Sequence, residues 1–126
     1  RITYVGFWSV ARLQRLQHLD LGNCREICDT GVECISSLHH LRHLNLRCND
    51  KITDKGFLRI ASLQLLQYLN LSCSKNITDA GLEMVDSLHQ LRRLVIDHCK
   101  NVTDAACARV GCPRMRGYAS TLSPYY

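Results

Sequence analysis

Leu66-Gln67-Tyr68-Leu69-Asn70-Leu71-Ser72-Cys73-Ser74-Lys75-Asn76-Ile77-Thr78-Asp79-Ala80-Gly81-Leu82 is the stretch that decides the fold. Its leading spacing, Leu66-x-x-Leu69-x-Leu71, returns as Leu16, Leu19 and Leu21, as Leu41, Leu44 and Leu46, and as Leu91, Leu94 and Ile96, each set 25 residues from the next. A fixed period of about 20–29 residues with this apolar spacing marks a solenoid of short stacked repeats. Such a stack builds a long open surface, not a closed pocket, which favours binding over catalysis.

The register extends beyond the leucines. Ile27, Ile52, Ile77 and Val102 each follow the last apolar residue of the spacing at one distance. Thr-Asp pairs come next at Thr53-Asp54, Thr78-Asp79 and Thr103-Asp104, with Cys28-Asp29 in the first repeat, then Gly31, Gly56, Gly81 or Ala106. The alternation in Leu44-Asn45-Leu46 has the period of a strand. Leu82, Val85, Leu88 and Leu91 recur every third residue and read as one face of a helix. Each unit is therefore strand, loop and helix. The expected architecture is α/β: a right-handed horseshoe segment with four strands in a parallel sheet on its concave face and four full helices behind.

The chain reads as a single domain over 1–126. It has a half repeat at 1–15, repeats at 16–40, 41–65, 66–90 and 91–114, and a partial strand and tail at 115–126. Ile2-Thr3-Tyr4-Val5-Gly6-Phe7 aligns with Ile52-Thr53-Asp54-Lys55-Gly56-Phe57. The first residue is Arg1 and no polar capping repeat precedes the first helix, although exposed solenoid ends normally carry one; the expectation is a piece of a longer chain. Four strands at ~4.8 Å spacing span about 14 Å, narrow for an interface of ~800 Å² per partner. More repeats are expected, or a partner that also touches the loops at Asp50-Lys51, Ser74-Lys75 and Lys100-Asn101.

Leu44 and Leu46 are expected to stack with Leu19, Leu21, Leu69 and Leu71, and truncating one to Ala to cost ~2–5 kcal/mol. The Thr-Asp pairs are expected to cap their own helices, each cap worth roughly 0.5–2 kcal/mol, with the aspartates facing the positive helix end. A ladder of metal-binding carboxylates is the disfavoured reading of the same residues.

Eight cysteines are present. Cys24 and Cys99 share one ladder position with Asn49 and Ser74, where a small side chain suits a buried turn. Cys48 and Cys73 share another with Asn23 and His98. Reduced structural thiols are the favoured reading. The alternatives are a Cys48–Cys73 disulfide, since neighbouring rungs fall within the ~4.4–6.8 Å Cα range, and a zinc site of Cys48, Cys73 and His98. No C-x-x-C pair supports the latter.

The period, the cysteine ladder and the Ile-Thr-Asp-x-Gly block together resemble the cysteine-containing class of leucine-rich repeats, with the pattern L-x-x-L-x-L-x-x-C-x-x-I-T-D-x-G-L. Leu66 to Leu82 follows it except at Ser74, and the last repeat keeps Cys99 and Thr103-Asp104 but has Ala106-Cys107 for Gly-Leu. The resemblance implies F-box/leucine-rich-repeat proteins, the substrate receptors of SCF-type ubiquitin ligases, whose repeats grip the substrate. No F-box-like segment lies in this chain. Similar repeats serve regulatory proteins without an F-box, so the alternative is a scaffold for a signalling enzyme with no ubiquitin role. An extracellular receptor fragment is disfavoured, because the cysteines follow the repeat instead of forming disulfide-bonded caps. Location in the cytoplasm or nucleus is expected.

Side chains flanking the inward leucines alternate to the concave face. The candidate protein-binding residues there are His18, Asp20, Arg42, His43, Asn45, Arg47, Tyr68, Asn70, Arg92, Arg93 and Asp97. Tyr and Arg are enriched among binding hot spots, so Tyr68, Arg47 and Arg93 are the expected anchors. The formal charge of +5 favours an acidic protein partner. Arg92-Arg93 and Arg114 to Arg116 are the dense basic spots, yet no nucleic-acid motif accompanies them. No membrane partner is expected either. The six histidines raise pH sensing through His18 and His43 on adjacent strands. No phosphate loop, G-x-S-x-G or H-E-x-x-H occurs, and a Cys73–His98 nucleophile pair is already dictated by the repeat. Catalysis, cofactors, metals and a small-molecule substrate are not expected.

Overall fold

The structure is a computed structural model that describes residues 9–109. The alternating leucines draw out four short strands, β1 (His18–Asp20), β2 (His43–Asn45), β3 (Tyr68–Asn70) and β4 (Arg93–Val95), which lie side by side in chain order. All pairings are parallel and in register: His18 faces His43, His43 faces Tyr68 and Tyr68 faces Arg93. The ladder continues past the strands, where the Leu21, Leu46 and Leu71 amides donate to Asn45, Asn70 and Val95 carbonyls at 2.8, 2.9 and 2.8 Å. Leu21, Leu44, Leu46, Leu69, Leu71, Leu94 and Ile96 are fully buried, with Ile27, Ile52 and Ile77 beneath the loops and Val32, Phe57 and Leu82 from the helices. Leu19, in the first strand, is half-buried.

The helices are α1 (Asp29–Ile35), α2 (Asp54–Arg59), α3 (Asp79–Leu82) and α4 (Asp104–Arg109). Among the described residues not every helical stretch is α throughout. After α2 the chain tightens into a 3₁₀ turn at Ile60–Ser62, and after α3 into a longer one at Glu83–Ser87. The apolar spacing gives the reason. Leu82, Val85 and Leu88 recur every third residue, and a helix with 3.0 residues per turn keeps every third residue on one side. All three are buried, so the segment winds to match its own pattern.

The expected Thr caps form at two of the three Thr-Asp pairs, and the aspartates add a contact of another kind. The Thr53 side chain makes no bond to its own helix, and the Thr78 and Thr103 hydroxyls accept only from Ala80 N–H at 3.3 Å and Ala106 N–H at 3.2 Å. The carboxylates instead reach one repeat forward. Asp29 accepts the Thr53 N–H at 2.7 Å and O–H at 2.5 Å. Asp54 takes the same two groups of Thr78 at 2.8 and 2.5 Å, and Asp79 those of Thr103 at 2.8 and 2.7 Å. Stacked repeats put the first helical residue of one beside the N-cap of the next, so the shorter route for the carboxylate is across. The glycines permit this approach: a methyl on Gly81 would stand 2.8 Å from Asp54 Cγ.

The two cysteine columns prove to be different. Asn49, Ser74 and Cys99 are fully buried. Asn49 Nδ2 donates to the Leu21 carbonyl at 3.0 Å, and Cys99 Sγ to the Leu71 carbonyl at 3.1 Å, so these two tie their turns to the repeat before, while Ser74 Oγ has no partner among the described residues. The other column is set by backbone conformation. Asn23, Cys48, Cys73 and His98 have φ of 59°, 58°, 61° and 59°, the left-handed region that Asn tolerates and most side chains avoid.

Among the described residues no helix is long and apolar enough to cross a membrane. The part of the half repeat before Ser9, Cys112, Arg114 to Arg116 and the tail at 115–126 lie outside them.

Candidate protein-binding face

Strand alternation sends two sets of side chains to opposite sides. Leucines go to the core, and the residues between them form the sheet's open face. On that face the register aligns His18, His43, Tyr68 and Arg93 along one line across the four strands. The His18 and His43 rings lie 5.4 Å apart and tilted. His43 and Tyr68 stack at 4.1 Å and 11°, and the Arg93 guanidinium sits 5.6 Å from the Tyr68 ring centre. The stack is an offset pile of flat groups ending in a cation, each holding its neighbour's rotamer.

Burial pushes the His43 pKa below its ordinary value, the nearby His18 pushes it further, and Asp20 opposes both. Beside the stack is an open depression lined by His43, Gln67, Tyr68, Arg92 and Arg93. The Arg93 Nε is shielded from solvent and has no acceptor among the described residues.

The next line along the strands, Asp20, Asn45, Asn70 and Val95, behaves differently. The Oδ1 atoms of Asp20, Asn45 and Asn70 accept from the amides of Gly22, Arg47 and Ser72, each at 2.9 Å. Those oxygens fasten the turn after each strand, while Val95 is nearly buried. Asn70 Nδ2 also donates to the Tyr68 hydroxyl at 3.3 Å, which steadies the ring in the stack.

The third line holds Gly22, Arg47, Ser72 and Asp97. Ser72 Oγ accepts the Asp97 amide at 3.3 Å. Burial raises the Asp97 carboxyl pKa, against the pull of His98 and Arg47. Arg47 lies against Cys48 and Cys73, and hydrogen bonding to Cys48 raises its pKa. The Cys73 thiol is pushed up by burial and then by Cys48. Cys48 and Cys73 stand there as thiols. Among the described residues no group of three His, Cys, Asp or Glu side chains gathers to hold a metal ion, Cys48, Cys73 and His98 included.

Charge divides unevenly. The ion pairs among the described residues are Lys51–Glu26 at 3.7 Å, Lys75–Asp50 at 3.9 Å and Arg109–Asp86 at 2.8 Å, all exposed and away from the open face; such pairs contribute little. Arg42, Arg92 and Arg93 form no such pair. The loops named as extra contact surface also stitch repeats together: Asn76 Nδ2 donates to the Asp50 carbonyl, and Asn101 Nδ2 to the Lys75 carbonyl at 2.6 Å.

The sequence placed His18, His43, Tyr68 and Arg93 on one face. Gln67, one residue before its strand and level with Arg42 and Arg92, also lines the depression.

Residues 13–36, 37–61 and 62–85, together more than half of the chain, each match the family model described as Leucine Rich repeat. A search of curated proteins finds no match. With these matches, a four-stranded parallel sheet and a 25-residue period, the chain belongs to the leucine-rich repeat family, whose repeats serve as scaffolds for protein–protein interaction.

Proposed function

We propose that this chain grips an acidic segment of a partner protein across its open face, as the substrate-recognition part of an SCF-type ubiquitin ligase receptor in a reducing compartment. The observation that carries the binding reading is the His18–His43–Tyr68–Arg93 stack. It is a preformed ribbon of rigid aromatic and cationic groups, the composition enriched in binding hot spots, and among the described residues its arginine pairs with no carboxylate. The cysteine ladder and the Ile-Thr-Asp-x-Gly block support the ligase reading by resemblance. Thiols at positions dictated by the repeat support the compartment.

The test is affinity isolation of the native transcript's product, with and without Tyr68→Ala. Co-isolation of a cullin adaptor, with captured proteins that lose binding to the Tyr68→Ala chain and persist longer when the transcript is silenced, supports the receptor. Partners captured through Tyr68 without adaptor or change in lifetime leave a scaffold with no ubiquitin role.

A further inference from the structure

We infer that the depression between β2 and β4 is a carboxylate subsite, which seats an Asp or Glu side chain of the bound segment against Arg93. The inference rests on the reading of the open face as a partner-binding surface and specifies its chemistry.

The depression offers donors. His43, Gln67, Tyr68, Arg92 and Arg93 line it, and no acidic residue is among them. Of the acids on the same face, Asp20 accepts the Gly22 amide, and Asp97 is half-buried in the same repeat as Arg93, two residues beyond the end of β4. The backbone cannot hold an anion here, because the Arg92 and Arg93 amides both donate to the Gln67 carbonyl, at 2.8 and 3.1 Å. Recognition falls to side chains.

Arg93 is prepared for the task. Its guanidinium lies 5.6 Å from the Tyr68 ring centre, and Tyr68 is fixed in turn by His43 at 4.1 Å and by Asn70 Nδ2 at 3.3 Å. A guanidinium so held keeps its planar fork in one orientation, which suits the two oxygens of a carboxylate. Its Nε has no acceptor among the described residues, and a shielded donor left unmet is costly. Burial and His18 hold the neighbouring His43 towards its neutral form, so the fixed cations that face the ligand are Arg93 and, at the rim, Arg92.

The probe is a displayed library of random heptapeptides selected on the full chain. The expected result is a set of binders sharing Asp or Glu at one fixed position. Changing that residue to Asn or Gln, or the chain by Arg93→Gln, weakens binding at least about tenfold. The two changes together cost little more than either alone. Arg93→Lys, which keeps charge but loses the fork, does not restore binding, and equal urea midpoints show that the variants are folded. Binders that depend on Tyr68 but carry no shared acid, or ignore Arg93→Gln, overturn the subsite and leave the face reading standing. Phosphoserine binding tenfold better than Asp or Glu also overturns it, in favour of a phosphate site. Binders indifferent to both Tyr68→Ala and Arg93→Gln overturn the face reading itself.

Discussion

The Asp54 carboxylate accepts both the backbone N–H of Thr78, at 2.8 Å, and its hydroxyl, at 2.5 Å. One side chain thus joins two repeats, and Gly81 lies against it with no room for a methyl. Gly81→Ala is expected to destabilise by about 1–3 kcal/mol through overpacking. In an Asp54→Ala background the clash with the carboxylate is gone, the residue-54 Cα stays 3.3 Å from the methyl, and Ala is the better helix former by about 1 kcal/mol, so the same change costs less. Urea unfolding of the four proteins in the cycle measures the coupling. Equal costs in both backgrounds would show that Asp54 and Gly81 do not constrain each other.

His98 shares with Asn23 a φ of 59°. The left-handed region costs most side chains roughly 1–2 kcal/mol, and Asn tolerates it. His98 is exposed, so its replacement disturbs no packing. His98→Asn is expected to raise stability by about 0.5–1 kcal/mol, seen as a higher urea midpoint at unchanged slope. A midpoint that falls or stays put would mean that the turn carries no strain at this position.

These two sites also show where the sequence was legible and where it was not. The leucine spacing placed β1 to β4, their register and their inward residues, because an alternation with a fixed period has one solution in a parallel stack. Val85 and Leu88 show a subtler case: their spacing of three was read as a helix face without its kind, and it fits 3₁₀ winding. The Asp54–Thr78 pairing was hidden for a different reason. Capping is a local rule, and nothing within one repeat shows that its carboxylate serves the next. The left-handed column was signalled by Asn23 and more weakly by His98, since the cysteines are not residues that favour this region. On the open face, alternation put Tyr68 and Arg93 on the same side, whereas their stacking depends on rotamers fixed across strands.

His43 ties the face to pH. Its folded pKa lies below the ordinary value near ~6.5 because burial and then His18 disfavour the charged ring, with Asp20 opposing. The folded state therefore prefers the neutral form. This contribution is complete above the ordinary value and lost as pH falls through the folded one. Tyr68 packs on the ring's other side and carries no charge at these pH values. The wild-type urea midpoint is expected to drop between about pH 7 and pH 5, and His43→Gln to remove part of that drop. Parallel profiles for the two proteins would dispose of the idea.

At the acid end the forward clamp supplies the signal. The Thr103 N–H, and then its hydroxyl, hold the Asp79 carboxyl pKa below the ordinary carboxylate value; burial opposes them and Arg109 adds a smaller pull in the same direction. A depressed folded pKa stabilises the fold above the unfolded value, near ~3.9, and that contribution is lost as pH falls through the folded one. Asp79→Asn should therefore be less stable than wild type at about pH 7, and the gap should close towards about pH 2, where both side chains are neutral. Thr103→Val keeps the N–H but removes the hydroxyl, so its own acid profile should lie between the two. The comparison separates charge from shape. If the Asp79→Asn gap is as wide in acid as at neutrality, the carboxylate acts there as a neutral acceptor would, and its charge does not help to hold the repeats together.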